Sequence, residues 1–346
     1  MRKYIYIILL QMSLSIAAYS QTDTVKAHNL PLSQDAEKLY NSGINYFNNK
    51  NYQAALNDFT QAIYLKPDFQ KAYYNRGVVK HETKDYKSAL EDFNKAIELN
   101  PNNENAYYSR AQTKYVLGDK EAALADYSKA IEKNVSYAQA YYYRGDIKFE
   151  MKDYKGALED FNKAILIKPD YGYAYNDRGS TKKILEDYEG AIADYNKALI
   201  VYSDAAFIYN NLGSARRKKG DAKSALQDYT DAIKMKPDYY IAYNNRGAAK
   251  FDTGDYEGAI ADFTAAIKMK ANYAYAYNNR ASAKYKLKDY KGALEDCNKA
   301  LEINPNYGAA YVNRGIAKEM LRDATGACAD WEKAKTLGIT NRVYIE

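Results

Sequence analysis

The chain has 346 residues, 47% hydrophobic and 27% charged, with a formal net charge of +6 and a mean hydropathy of −0.65. This balance excludes a polytopic membrane protein, whose spanning helices each need about 20 nearly uncharged apolar residues. Two cysteines and two histidines exclude a disulfide scaffold and a structural zinc cluster, and leave little material for a histidine-based active site.

Residues 1–20 open with Arg2 and Lys3, continue through a mainly apolar run from Tyr4 to Ala18, and place the small residues Ala18 and Ser20 where a signal peptidase reads. The layout predicts a secretory signal peptide cleaved after Ser20, and so a periplasmic or extracellular protein. The run is short for a membrane anchor and carries Gln11 and two serines. No cysteine follows it, so a lipid anchor is not expected. Residues 21–35 read as a linker. Loss of Arg2 and Lys3 lowers an already weak positive charge, and no clustered Lys/Arg stripe is present to bind nucleic acid.

Thirty-nine tyrosines point to one unit copied many times. Rows of 34 residues from Ala36 repeat nine times without a gap: 36–69, 70–103, 104–137, 138–171, 172–205, 206–239, 240–273, 274–307 and 308–341, leaving a tail at 342–346. Position 8 of each row is Gly or Ala, positions 20 and 27 are always Ala, and position 24 is aromatic in every row but the eighth, where Cys297 stands. Apolar residues three and four apart over positions 2–14 and 17–30 predict two amphipathic helices per row. Asp at position 16, with Asn51 in row one, predicts a cap on the second helix, and Asp, Asn, Ser or Thr at position 33 predicts a cap on the next first helix. Pro67, Pro101, Pro169, Pro237 and Pro305 at position 32 stop the preceding helix. One such pair cannot bury its own apolar face, so the rows must stack.

The period and the Tyr/Gly/Ala/aromatic/Ala/Pro positions over 36–341 resemble the tetratricopeptide repeat family. The resemblance implies an all-α fold, a right-handed α-solenoid of nine helix-turn-helix repeats. It also implies that the first helices line a concave groove binding extended peptides or partner helices, with positions 2, 5, 9, 12 and 13 facing the groove. It names no partner.

Position 7 is arginine in seven rows, as Arg76, Arg110, Arg144, Arg178, Arg246, Arg280 and Arg314, and position 23 is aspartate in all nine. A guanidinium leaning inward needs a carboxylate. Row one has Ser42 at position 7 yet keeps Asp58, which predicts staples between rows: Asp58, Asp92, Asp126, Asp160, Asp228, Asp262 and Asp296 each pairing with position 7 of the following row, with Asp194 left over opposite Leu212. Position 18 alternates Lys87, Glu121, Lys155, Glu189, Lys223, Glu257, Lys291, which predicts opposite charges on neighbouring second helices. Lys335 replaces the usual Ile or Leu at position 28 of row nine, as a terminal cap requires.

In the groove expected from the family, position 5 is Tyr40, Tyr74, Tyr108 and Tyr142 and then Asn176, Asn210, Asn244 and Asn278. Position 12 adds Phe47, His81, Tyr115 and Phe149 to the first half, and Lys183 and Arg217 lie in the second, near Lys218. Position 6 adds Asn211, Asn245 and Asn279. The rings would anchor partner side chains and the amides would clamp an extended main chain. No row combines lysine at 5 with asparagine at 9, and there is no phosphate loop, metal-spaced set or catalytic centre, so no cofactor is expected. Cys297 and Cys328 are expected as buried free thiols, with a disulfide as the alternative. The reading is a noncatalytic scaffold holding a protein segment, or alternatively an envelope module stacking glycans on its tyrosine half.

Overall fold

A computed structural model describes residues 31–339, which form eighteen α-helices and the turns between them. The expected signal peptide, residues 21–30 of the expected linker and the tail lie outside the described residues. The chain divides into two compact units, one ending at Pro169 and the other beginning at Asp170. In the first, α1 (Pro31–Asn48) and α2 (Tyr52–Leu65) make row one, followed by α3 (Gln70–Glu82), α4 (Tyr86–Leu99), α5 (Glu104–Val116), α6 (Lys120–Lys133), α7 (Ala138–Glu150) and α8 (Tyr154–Ile167). In the second, the pairs are α9 (Gly172–Ile184) with α10 (Tyr188–Val201), α11 (Ala206–Lys219) with α12 (Ala222–Met235), and α13 (Tyr240–Asp252) with α14 (Tyr256–Met269). Next come α15 (Ala274–Lys286) with α16 (Tyr290–Ile303), and α17 (Gly308–Met320) with α18 (Ala324–Thr336). Each unit is an all-α solenoid in which a helix pair packs against the next. Helix α1 starts five residues before Ala36, so residues 31–35 of the expected linker are helical.

Each second helix starts on its position-16 side chain: Asp85, Asp119, Asp153, Asp187, Asp221, Asp255, Asp289 and Asp323, with Asn51 in row one, accept a backbone N–H three residues on. The residue before each cap is left-handed in every row: Gly118, Gly220 and Gly254 in three, and Lys50, Lys84, Lys152, Glu186, Lys288 and Arg322, at φ 58 to 67°, in six. The first helices are capped differently from expectation. Their N-caps fall at position 34, one residue later than the Asp/Asn/Ser series, and in rows two to nine only Asn103 there accepts backbone N–H groups. The bulky residues Phe69 and Tyr171 there are buried, and Tyr137 is half-buried. Packing outweighs capping at this turn.

Inside a row the two helices meet where position 8 faces the position-24 ring. A Cβ on Gly43 would stand 2.7 Å from the Phe59 ring, and one on Gly77 2.8 Å from that of Phe93. Where position 8 is Ala281, the facing residue is the small Cys297. The alanines at positions 20 and 27 are buried throughout, which lets the helix backbones approach. The alternating position-18 charges, in contrast, make no ion pair with one another among the described residues; Glu189 pairs instead with Lys219 at 3.0 Å.

Candidate functional site

The first helices of successive rows touch one another directly within each unit: α1 with α3, α3 with α5, α9 with α11, α11 with α13, α13 with α15 and α15 with α17. They form the inner layer. At about 100° per residue, positions 2, 9 and 13 fall within roughly 40° of one line on a first helix, whereas 5 and 12 turn about 60–80° away toward the next row. Hydrogen bonds confirm that turn.

Position 5 is therefore a joint between rows and not an open face. Asn75 Nδ2 donates to Tyr40 Oη at 2.8 Å, and the Tyr40 ring lies 5.0 Å from that of Phe69. Burial raises the Tyr40 hydroxyl to about 12. Tyr74 Oη meets Ser109 Oγ at 3.4 Å, Tyr108 stacks on Tyr137 at 4.9 Å, and Tyr142 is only 6% exposed. In the second unit Asn211 donates to Asn176, Asn245 to Asn210, Asn279 to Asn244 and Asn313 to Asn278, at 2.9–3.0 Å. The position-5 asparagines are 2–7% exposed. The expected ring anchors and amide clamps are thus inter-row couplings, because the helical wheel aims them along the stack.

Position 12 turns the same way. His81 Nδ1 shares a 2.9 Å hydrogen bond with Thr113 Oγ1, and burial depresses its imidazole to about 4. Phe47 is buried, and Phe149 packs edge-on against Tyr154 at 5.5 Å. Tyr115 donates to Glu150 at 2.9 Å, and Arg217 holds Asp252 through two nitrogens at 2.5 and 3.1 Å. Lys183 donates to Ser214 at 3.3 Å.

The arginine–aspartate pairs form, but within rows and not between them. Arg76 takes Asp92, Arg110 Asp126, Arg144 Asp160, Arg178 Asp194, Arg246 Asp262, Arg280 Asp296 and Arg314 Asp330, each through Nε and Nη2 at 2.5–2.9 Å. Asp194 is paired; the weak member is Asp228, whose row has Leu212 and uses Arg216 in its place. Asp58 does not reach Arg76. The link between rows comes from the third nitrogen: Nη1 of Arg76, Arg110, Arg144, Arg246, Arg280 and Arg314 donates to position 25 of the previous row at 2.7–3.2 Å. A lysine at position 11, from Lys80 to Lys318, completes each aspartate at 2.7–2.9 Å. The tyrosine at position 4 lies 5.2–5.5 Å under the guanidinium. Sequence reasoning missed that lysine, although its recurrence sixteen and twelve residues from the carboxylate, with the arginine, was visible.

What remains partly accessible on the inner layer is position 2, above a position 9 that is half-buried or buried. In the first unit position 2 is polar: Glu37, Lys71, Asn105 and Gln139. In the second it is Tyr173, Phe207, Ile241 and Tyr275, with Tyr275 54% exposed and the Tyr173 and Phe207 rings parallel to within 3° at 6.5 Å. Small residues follow at position 9 (Ser180, Ser214, Ala248, Ser282), and cations lie toward the helix C-termini. This apolar stripe across four rows was the signal sequence reading left unused. In the first unit the Oδ1 of Asn75, Oε1 of Gln112 and Oε1 of Glu82 are buried without a hydrogen-bond partner, and burial pushes the Glu82 carboxyl up to about 7. Cys297 is buried and Cys328 exposed, both as free thiols, so only one of the two is buried as expected.

Tetratricopeptide repeat family models match residues 36–69, 71–103, 93–125, 138–171, 185–240, 210–269 and 274–307. The chain belongs to the tetratricopeptide repeat family. No curated protein matches it significantly. Among solved structures it is similar to the APC/C hetero-tetramer Cut9–Hcn1, at 14% identity and a TM-score of 0.58 over 98% of this chain and 80% of that one. It is similar to the C-terminal part of a TPR repeat-containing protein from Cytophaga hutchinsonii, at 19% identity and 0.56 over 69% and 98%. A tetratricopeptide repeat protein from Parabacteroides merdae gives 20% and 0.52 over 71% and 98%. These likenesses establish the fold. Membership of the repeat family supports a protein–protein interaction scaffold, and no helix among the described residues is long and apolar enough to cross a membrane.

Proposed function

We propose that the protein is a noncatalytic, exported scaffold that holds a segment of a partner protein on the inner face of its second unit. The observation that carries this reading is the apolar series Tyr173, Phe207, Ile241 and Tyr275 on four successive first helices. Rings with little rotamer entropy to lose, set above a floor of serine and alanine, suit insertion of partner side chains. The polar position-2 series and larger floor residues of the first unit suit it less. Stacking of glycans on the position-5 tyrosines loses its platform, since those rings are turned into the joints between rows. Export rests on Arg2, Lys3 and the apolar run to Ala18, and cell fractionation of the full chain tests it.

A photocrosslinking residue at position 275, compared with one at Lys197 on a second helix, tests the face itself. Crosslinks from 275 to a protein segment of an envelope extract, lost on protease treatment of the extract and in a Phe207→Ala variant of unchanged melting temperature, are expected. Equal labelling from both positions would sink the reading.

A further inference from the structure

Position 12 of one row and position 13 of the next, 35 residues apart, form a hydrogen-bonded cross-row pair at two joints. Tyr115 donates to Glu150 Oε1 at 2.9 Å, and Arg217 Nε to Asp252 Oδ2 at 2.5 Å. In both, the following row supplies a carboxylate to a donor on the preceding one. Between rows five and six the same register pairs Lys183 with Lys218, near enough for its charge to act on Lys183, where Glu150 or Asp252 stands at the other two joints. Lys183 is half-buried, its pKa is lowered by burial and then by Lys218, and among the described residues its hydrogen bond is to the Ser214 hydroxyl at 3.3 Å. Neither lysine has a carboxylate partner among the described residues. An ammonium carries three donors, and Lys183 gives one of them to the Ser214 hydroxyl, with Lys218 exposed nearby.

We infer that Lys183 and Lys218, with Ser214 beside Lys183, form a receiving slot for a carboxylate side chain of a bound protein segment. That glutamate or aspartate takes the place that Glu150 and Asp252 take in other rows. The inference rests on the partner-binding face proposed above and gives it a chemistry: an acidic residue near apolar ones. From position 2 to position 12 or 13 along a first helix is about 15 Å, so the stripe and the slot engage different residues of one segment. A monoanion fits better than a phosphate dianion. Helices α9 and α11 end at Ile184 and Lys219, and the negative ends of both lie beside the slot.

The test uses the full chain and a fluorescein-labelled hexaglutamate peptide, with hexaglutamine as the neutral counterpart, read by anisotropy. Hexaglutamate should bind preferentially. Lys183→Met and Lys218→Met should each weaken it about tenfold or more, the loss of one charge-assisted hydrogen bond, while Lys197→Met on a second helix should leave it unchanged. Lys218→Glu supplies the missing carboxylate from within, so it should abolish binding and raise the melting temperature by about 2 °C or more. That thermal result is read without any ligand. Hexaglutamate bound equally by all variants, or by none, or a Lys218→Glu protein that melts no higher, would overturn the slot. If Phe207-dependent crosslinking from position 275 persists in that case, the slot alone has failed; if it is lost too, the face has failed.

Discussion

The Asp160 carboxylate shows how much a single buried residue can hold in this array. It accepts Arg144 through two nitrogens at 2.9 and 2.6 Å and Lys148 at 2.8 Å, and Arg144 in turn reaches Ser128 of the previous row. Asp160→Asn strands two cations and should cost about 3–5 kcal/mol in urea unfolding. Arg144→Ala leaves Lys148 in place and should cost less, about 1–3 kcal/mol. Asp228 behaves oppositely. Its Oδ2 is buried without a partner, and burial outweighs Arg216 to raise its carboxyl to about 6. The folded state thus binds this proton more tightly than the unfolded chain. Its contribution is complete below about pH 4 and is lost as pH rises through about 6. Asp228→Asn should therefore match the parent near pH 4 and exceed it by about 2 kcal/mol at pH 7.5, a comparison that denaturant curves at the two pH values settle.

At the scale of the element, the turn before each second helix is the most exacting piece of the repeat. It needs a left-handed residue at position 15 followed by a side-chain cap at 16. Three rows use glycine and six accept a side chain at positive φ. A left-handed L-residue carries a cost of about 1–2 kcal/mol, partly offset by the greater unfolded-state entropy that glycine brings. Lys152→Gly should thus stabilise row four by about 0.5–1 kcal/mol, visible as a higher denaturation midpoint with unchanged slope. Position 16 was legible because a cap acts within three residues of its own helix. The first-helix cap was not, because position 34 must also fill the corner between rows, and only the stack shows that a buried Phe or Tyr is needed there.

Within each unit the described rows pack row against next row, so damage should stay local. Gly77→Ala would put a methyl against the Phe93 ring and should cost about 1–3 kcal/mol. Amide hydrogen exchange should show the loss in α3 to α5 and leave α13 to α16 protected as in the parent. Exchange rising evenly along the chain would show a cooperativity that nearest-neighbour packing does not supply.

By itself the sequence determined the family, the helix pairing, the second-helix caps and the residue types that must pair, because each follows from spacing within one 34-residue unit. It could not determine which copy pairs with which. In an array of strict period, Asp58 stands 18 residues before Arg76 and Asp92 stands 16 after it, and every row offers the same two choices. Only the crossing of the two helices in space, which brings Arg76 Nε to 2.9 Å from Asp92, selects between them. The same degeneracy hid the inner face. Positions 5 and 12 look like a lining until the stacking direction is known, and that direction turns them into joints and leaves position 2 partly accessible.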